Sequence, residues 1–138
     1  MTGRAEVGSL SVFVAVLAVA LFGLVGLVVD GGRAVAARAR AMDEAEQAAR
    51  AGAEQLSIDA LRSGQVSLDA PSAVRAADSY LVETSAPGVT SVSVSGNTVT
   101  VRIEEGEPTV MLGIVGVHHI EVSAVASATN VHGVTRPD

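Results

Sequence analysis

Three histidines and a run of glutamates are the side chains in this 138-residue sequence best suited to site chemistry. His118 and His119 are adjacent, so their rings point in different directions on a strand or turn, and no third ligand stands at recognisable spacing. His132 is remote from both. The reading is a solvent-exposed strand start, not a metal site. Glu104, Glu105 and Glu107 offer oxygens for Ca²⁺, but the alternating ligand pattern of a calcium loop is absent. A solvated acidic loop over Glu104–Pro108 is expected instead. No G-x-S-x-G, H-E-x-x-H, phosphate-loop or dinucleotide fingerprint occurs. Neither enzymatic activity nor a cofactor is expected.

Asp30 and Arg33 are the charges whose position needs an account. They follow directly on residues 7–29, a stretch of 23 residues without a single charge. At i,i+3 they share a helix face and are placed to pair with each other. They serve either as a simple stop to the apolar run or as a register mark that sets this helix against its copies or partners. The run itself, rising 1.5 Å per residue, is long enough to cross a hydrocarbon core of about 30 Å. A cleaved secretory signal has a shorter apolar core of about 7–15 residues. The A-x-A sequence Ala34-Val35-Ala36 lies beyond Asp30 and Arg33, so no cleavage is expected there.

Composition narrows the function classes. The net charge of −6 argues against nucleic acid, whose phosphates need a basic patch. There is no cysteine, which excludes disulfides and thiolate metal sites, and every basic side chain is Arg, which excludes lysine-borne Schiff bases and isopeptide links. The aromatics are Phe13, Phe22 and Tyr80 alone. A soluble part must therefore bury Val, Ala, Leu and Ile in a thin core, and gain stability from neighbours in an assembly.

Five segments follow. Residues 1–6 are a polar cap and 7–29 a transmembrane helix. Within the helix Gly8, Ser11, Ala15, Ala18 and Gly26 fall on one face, interrupted by Phe22. Such a seam lets helices approach closely in lipid, although any Ala/Val/Gly-rich span shows some small-residue face. Residues 30–64 continue as an amphipathic helix with a stripe of Val35, Met42, Ala45, Ala49, Gly52 and Leu56. Glu46 and Arg50 are set to pair at i,i+4, and Ser63-Gly64 ends the helix.

Residues 65–129 form a small α+β domain, and 130–138 a loose tail. Asp69 and Pro71 announce a second helix with Val74, Ala77, Leu81 and Tyr80 inward, stopped at Ala86-Pro87-Gly88. Val92 and Val94, then Val99, Val101 and Ile103, alternate with polar residues on either side of Gly96-Asn97. That spacing predicts a hairpin pairing Val94 with Val99 and Val92 with Val101. Residues 109–117 read as a short helix with Pro108 at its first position and Gly116 at its close. Ile120, Val122, Ala124, Ala126 and Ala128 share one face of a last strand, completing a three-stranded antiparallel sheet.

The residues Gly8-Ser9-Leu10-Ser11-Val12-Phe13-Val14, the apolar span, Val29-Asp30-Gly31-Gly32-Arg33 and the alanine-rich 44–53 resemble the N-terminal module of the TadE/TadG family. These are minor pilin-like proteins of the tight-adherence (Flp) pilus. The resemblance covers about residues 3–60. The downstream pattern, hairpin then Leu112-Gly113-Ile114-Val115-Gly116 then an alternating Val/Ala strand, is similar to actinobacterial members, and the all-Arg, Ala/Val/Gly-rich composition fits a high-GC genome. It implies a pilin-like subunit or pseudopilin, held by its helix in the membrane until an assembly platform places it in or under a filament. Its partners would be the membrane, other pilus subunits and platform proteins, with homo- or hetero-oligomers formed through the helix.

Family members can be processed after a glycine matching Gly8, exposing Ser9. The family's glutamate five positions on is replaced by Phe13, and the expectation is that this chain is not cleaved. Basic residues near the span (Arg33, Arg38 and Arg40 against Arg4) favour a cytoplasmic C-terminus. The resemblance implies an extracytoplasmic one, and is followed here because Arg33 to Arg40 sit within helix. The alternative function is a single-pass, membrane-anchored extracytoplasmic binding or regulatory module, for which the helix is merely a tether.

Overall fold

The computed structural model describes residues 3–130, residues 3–9 and 115 through their backbone alone. The order of elements is α1 (Gly3–Ala53), α2 (Ile58–Arg62), α3 (Ala70–Glu83), β1 (Val89–Ser95), β2 (Thr98–Pro108), a 3-10 helix (Leu112–Val115) and β3 (His119–Thr129). The class is α+β, a long apolar N-terminal helix followed by helices and a three-stranded antiparallel sheet. Two compact units divide the chain: Met1–Val35 with Glu107–Ile120, and Ala36–Gly106 with Glu121–Asp138.

The second unit is built around alanine. Ala41, Ala45, Ala48, Ala49 and Ala53 of α1 meet Ala73, Ala77 and Leu81 of α3 and Val99, Val101 and Ile103 of β2 in one core. The expected stripe is corrected in two places, since Val35 and Met42 face outward and Ala37, Ala41 and Ala48 are buried. The reason is the closeness of approach. A Cβ on Gly52 would stand 2.9 Å from the Ala73 carbonyl and 3.1 Å from a Val99 methyl, so only the smallest side chains fit along that line. Val99, Val101 and Ile103 are the bulk of the filling, each worth about 1.5–3 kcal/mol on burial.

The amphipathic helix stops at Ala53, ten residues before Ser63, which corrects the 30–64 segment. Longer-range pairing outcompetes its continuation. Leu56 bridges to Leu68, the Ser57 N–H donates to Ser67 (2.9 Å), the Asp69 N–H donates to Gln55 (2.9 Å), and the Asn130 amide caps the Ala53 carbonyl (2.9 Å). The last turn before Ser63-Gly64 is the separate α2, capped by Ser57. In α3 the Asp69 carboxylate accepts from the Ser72 N–H as a helix N-cap, and Pro71 sits in the first turn as expected. Ala73, rather than Val74, is the first buried position.

The hairpin keeps the expected register, Val94 against Val99 and Val92 against Val101. Gly96 takes a positive φ of 58° at the turn, which costs glycine little. The sheet order is β1-β2-β3. Val122, Ala124 and Ala126 of β3 are buried, with Ile120 and Ala128 on the same face. Residues 104–108 are not an acidic loop but the end of β2. Strand alternation persists through the glutamates, because the backbone ladder does not depend on side-chain charge. Asn130 donates its N–H to the Asn97 carbonyl (2.9 Å); the remaining tail, with His132, lies outside the described residues.

Candidate functional site

The first unit owes its arrangement to one carboxylate. Asp30, eight turns or so into α1, is only 1% exposed. Its Oδ1 accepts from the Val110 N–H at 2.9 Å, and its Oδ2 from the Met111 and Leu112 N–H groups at 2.9 and 2.7 Å. Those donors lead into the 3-10 helix, whose own N-cap residue Met111 supplies no side-chain acceptor. The opening amides of any helix lack intrahelical partners. Asp30 answers one of them, that of Leu112, together with the N–H groups of the Met111 cap and of Val110 before it, through charge-assisted bonds. The Leu112 N–H foremost holds the Asp30 carboxyl below the usual carboxylate range; burial opposes this, and the Val110 and Met111 N–H groups and the Arg33 charge add to it.

Arg33 turns to a different partner. Its guanidinium pairs with Glu107 Oε1 at 3.2 Å, through both Nε and Nη2. The expected Asp30–Arg33 pair is therefore replaced by two separate attachments of α1 to the 107–112 segment, one through each residue. The strand alternation that carries Glu107 past Ile103 and Glu105 puts it on the half-buried side of β2. Gly26 lies one turn before Asp30, and a Cβ there would stand 2.7 Å from Met111 Cβ. Only glycine admits so close a contact.

The loop closes on itself. The Thr109 N–H donates to His118 (3.1 Å), the Thr109 hydroxyl donates to the Val117 carbonyl, and the Ile114, Gly116 and Val117 N–H groups donate to Met111, Gly113 and Leu112. The short helix expected here is present as 3-10, and Gly116 closes it at φ 92°. Pro108 is not its first residue but the last of β2, three positions before the Met111 cap.

The seam residues divide. Gly8 and Ser9 lie outside the residues whose side chains are described. Ser11 and Ala15 are exposed, and Ala18 is half-buried. Gly26 is covered by Met111 of the same chain, which removes it from a seam running the length of the span. Sequence spacing could not reveal that Asp30 and Gly26 meet residues 110–112, because nothing local links positions eighty apart. The available signal was the uncharged run Thr109–Val117, a second apolar stretch in a chain with few of them. Among the described residues no group of three His, Asp or Glu side chains is placed to hold a metal ion.

One helix of the described residues is long and apolar enough to cross a membrane. Its most apolar 18-residue window has a mean hydropathy of 3.0 and is 6% buried. A core helix of that composition would be covered by its own protein. Fold and site thus define a class: an α+β chain with one N-terminal helix fit to anchor it in a bilayer.

Residues 8–55 match the model of a family described as putative Flp pilus-assembly, TadE/G-like, and over that stretch the chain is similar to that family. The match follows α1 from Gly8 to its end at Ala53 and two residues beyond. No curated protein matches the chain, and no solved structure does.

Proposed function

We propose that this protein is a structural subunit of a tight-adherence pilus, a minor pilin or pseudopilin, that works by helix packing rather than by catalysis. The observation that carries the reading is the coincidence of the TadE/G-like match with α1: the family's signature in this chain is its membrane-length helix and the alanine-rich continuation. Ser11, Ala15 and Ala18, with Gly8, are the small residues left to line contacts with sister helices, where close packing drives association in lipid. The thin alanine core is consistent with a subunit that gains stability from its neighbours. The C-terminal unit is extracytoplasmic in this reading, and the partners are other pilus subunits and the assembly platform.

The decisive experiment replaces residues 9–29 with an unrelated apolar helix of equal length. Membrane insertion should persist while pilus assembly fails. If any inert anchor supports assembly, the helix is a tether and the subunit reading falls. Two further measurements bear on place: a cysteine introduced by Ser95→Cys should react with an impermeant thiol reagent on intact cells, and the protein should be found in sheared surface filaments as well as in washed membranes.

A further inference from the structure

Three contacts fix the direction in which the β2–β3 tip runs along α1. Glu107 meets Arg33, residues 110–112 meet Asp30, and Met111 meets Gly26. Each step toward the tip is a step back along the helix toward the apolar run. Arg33 is about 4.5 Å beyond Asp30 along the axis, and Gly26 is about 6 Å before it. Gly26 lies inside the charge-free stretch 7–29. The tip therefore sits at the depth of the last turn of the membrane segment.

What the tip presents fits that depth. From Thr109 to Val117 there is no charged residue. Ile114 is 82% exposed, and Val110, Met111 and Val117 are 50%, 43% and 45% exposed. Such apolar exposure on a tight turn is costly in water. A backbone at membrane depth must also have its N–H groups satisfied, since lipid supplies no partners. In this tip the N–H groups of residues 110, 111 and 112 are bonded to Asp30, and those of 114, 116 and 117 to carbonyls of the tip itself. Asp30 is at once the first residue past the charge-free run and the acceptor that lets a loop lie against it.

We propose that residues 109–117 are a second membrane contact, an apolar tip seated among the lipid acyl chains just below the headgroups, beside the helix exit. The occupant of its exposed face is lipid, by continuity with the bilayer that surrounds residues 7–29. The chain is then held by a helix that spans and a tip that dips, which fixes the rotation of α1 about its axis as a helix alone cannot. This inference rests on membrane anchoring in the functional reading above, and not on the pilus role.

The test uses the full chain in vesicles of phosphatidylcholine and phosphatidylglycerol. Since the sequence has no cysteine, Ile114→Cys and Leu21→Cys each give one site for an environment-sensitive fluorophore. The label at position 114 should be quenched several-fold more by lipid brominated high on the acyl chain than by aqueous iodide. At position 21 it should be quenched by lipid brominated deeper. Adding Asp30→Ala should return the label at 114 to iodide while leaving that at 21 unchanged. Iodide quenching at 114 with lipid quenching at 21 overturns the tip and leaves the anchor standing. Shielding of 114 from both quenchers overturns it in favour of a protein neighbour. Iodide quenching at both positions defeats the anchor and the tip together.

Discussion

Asp30 and Leu112, 82 positions apart, share the shortest of three hydrogen bonds that hold a loop to the end of an apolar helix, at 2.7 Å. The carboxylate does for this loop what an N-cap side chain does for its own helix, but from another element. Its location, one residue past the charge-free run, makes the chain's first acidic group after the span a structural acceptor.

Removing that acceptor should release the loop. Asp30→Ala leaves three N–H donors without it, and the loss should be about 2–4 kcal/mol, since each unmade bond costs about 1–3 kcal/mol and water recovers part. Amide exchange at residues 110–112 should accelerate on the order of 100-fold. Membrane insertion should be unchanged. Exchange as slow as in the parent chain would show that the carboxylate does not hold the loop.

Arg33→Ala should behave differently. Its pair with Glu107 is partly exposed, the Arg33 side chain more so than the half-buried Glu107, and such pairs contribute about 0.2–1 kcal/mol. Amide exchange at 110–112 should change by less than about fivefold. A double-mutant cycle with Glu107→Ala should give a coupling in the same small range. If Arg33 and Asp30 mark register against other subunits as well, both alanine variants will impair filament assembly, whereas insertion stays intact.

Gly26→Ala brings a methyl against Met111 Cβ and should lift the tip from the helix. Met111→Ala cannot relieve this, because its own Cβ is the atom struck, whereas Met111→Gly can. The fluorophore at position 114 reads the sequence of events: displaced in Gly26→Ala, still displaced with Met111→Ala added, restored with Met111→Gly. Restoration by alanine would refute the contact.

Acid should loosen the tip only late. The folded Asp30 carboxyl lies below the usual carboxylate range, chiefly through the Leu112 N–H. A depressed folded value means the stabilisation is complete above the ordinary aspartate pKa of about 3.9 and is lost as pH falls through the lowered one. The position-114 signal should therefore be flat from neutral pH to about 5 and change only below about 4. A transition between pH 5 and 7 would assign control to another group.

Within the second unit, Gly52→Ala should cost about 1–3 kcal/mol by overpacking, since the new methyl meets a backbone carbonyl that cannot swing aside. Ile103→Ala should cost about 2–5 kcal/mol by leaving a void in a core with few large side chains. Thermal unfolding in detergent checks both. A neutral Gly52→Ala would mean α1 and α3 are less closely packed than the 2.9 Å approach requires.

The sequence by itself determined the elements whose signals are local. The uncharged 7–29 run, the Asp69 and Pro71 start of α3, and the valine alternation around Gly96-Asn97 each carry their physics within a few residues, and each stands where that physics puts it. Even the likeness to the TadE/G-like model was legible there, because the matched stretch is a helix. Tertiary structure decided the rest. It ended α1 at Ala53, where pairing of Leu56 with Leu68 and the Asn130 cap outweigh further helix. It chose Ala41 and Ala48 over Met42 for the interior, because the elements approach too closely for a long side chain. It turned Asp30 and Arg33 from a pair with each other into two separate attachments for the 107–112 segment. A carboxylate accepts from whichever donors the fold delivers, and here strand β2 delivers three amides from eighty residues away, a meeting no spacing in the sequence encodes.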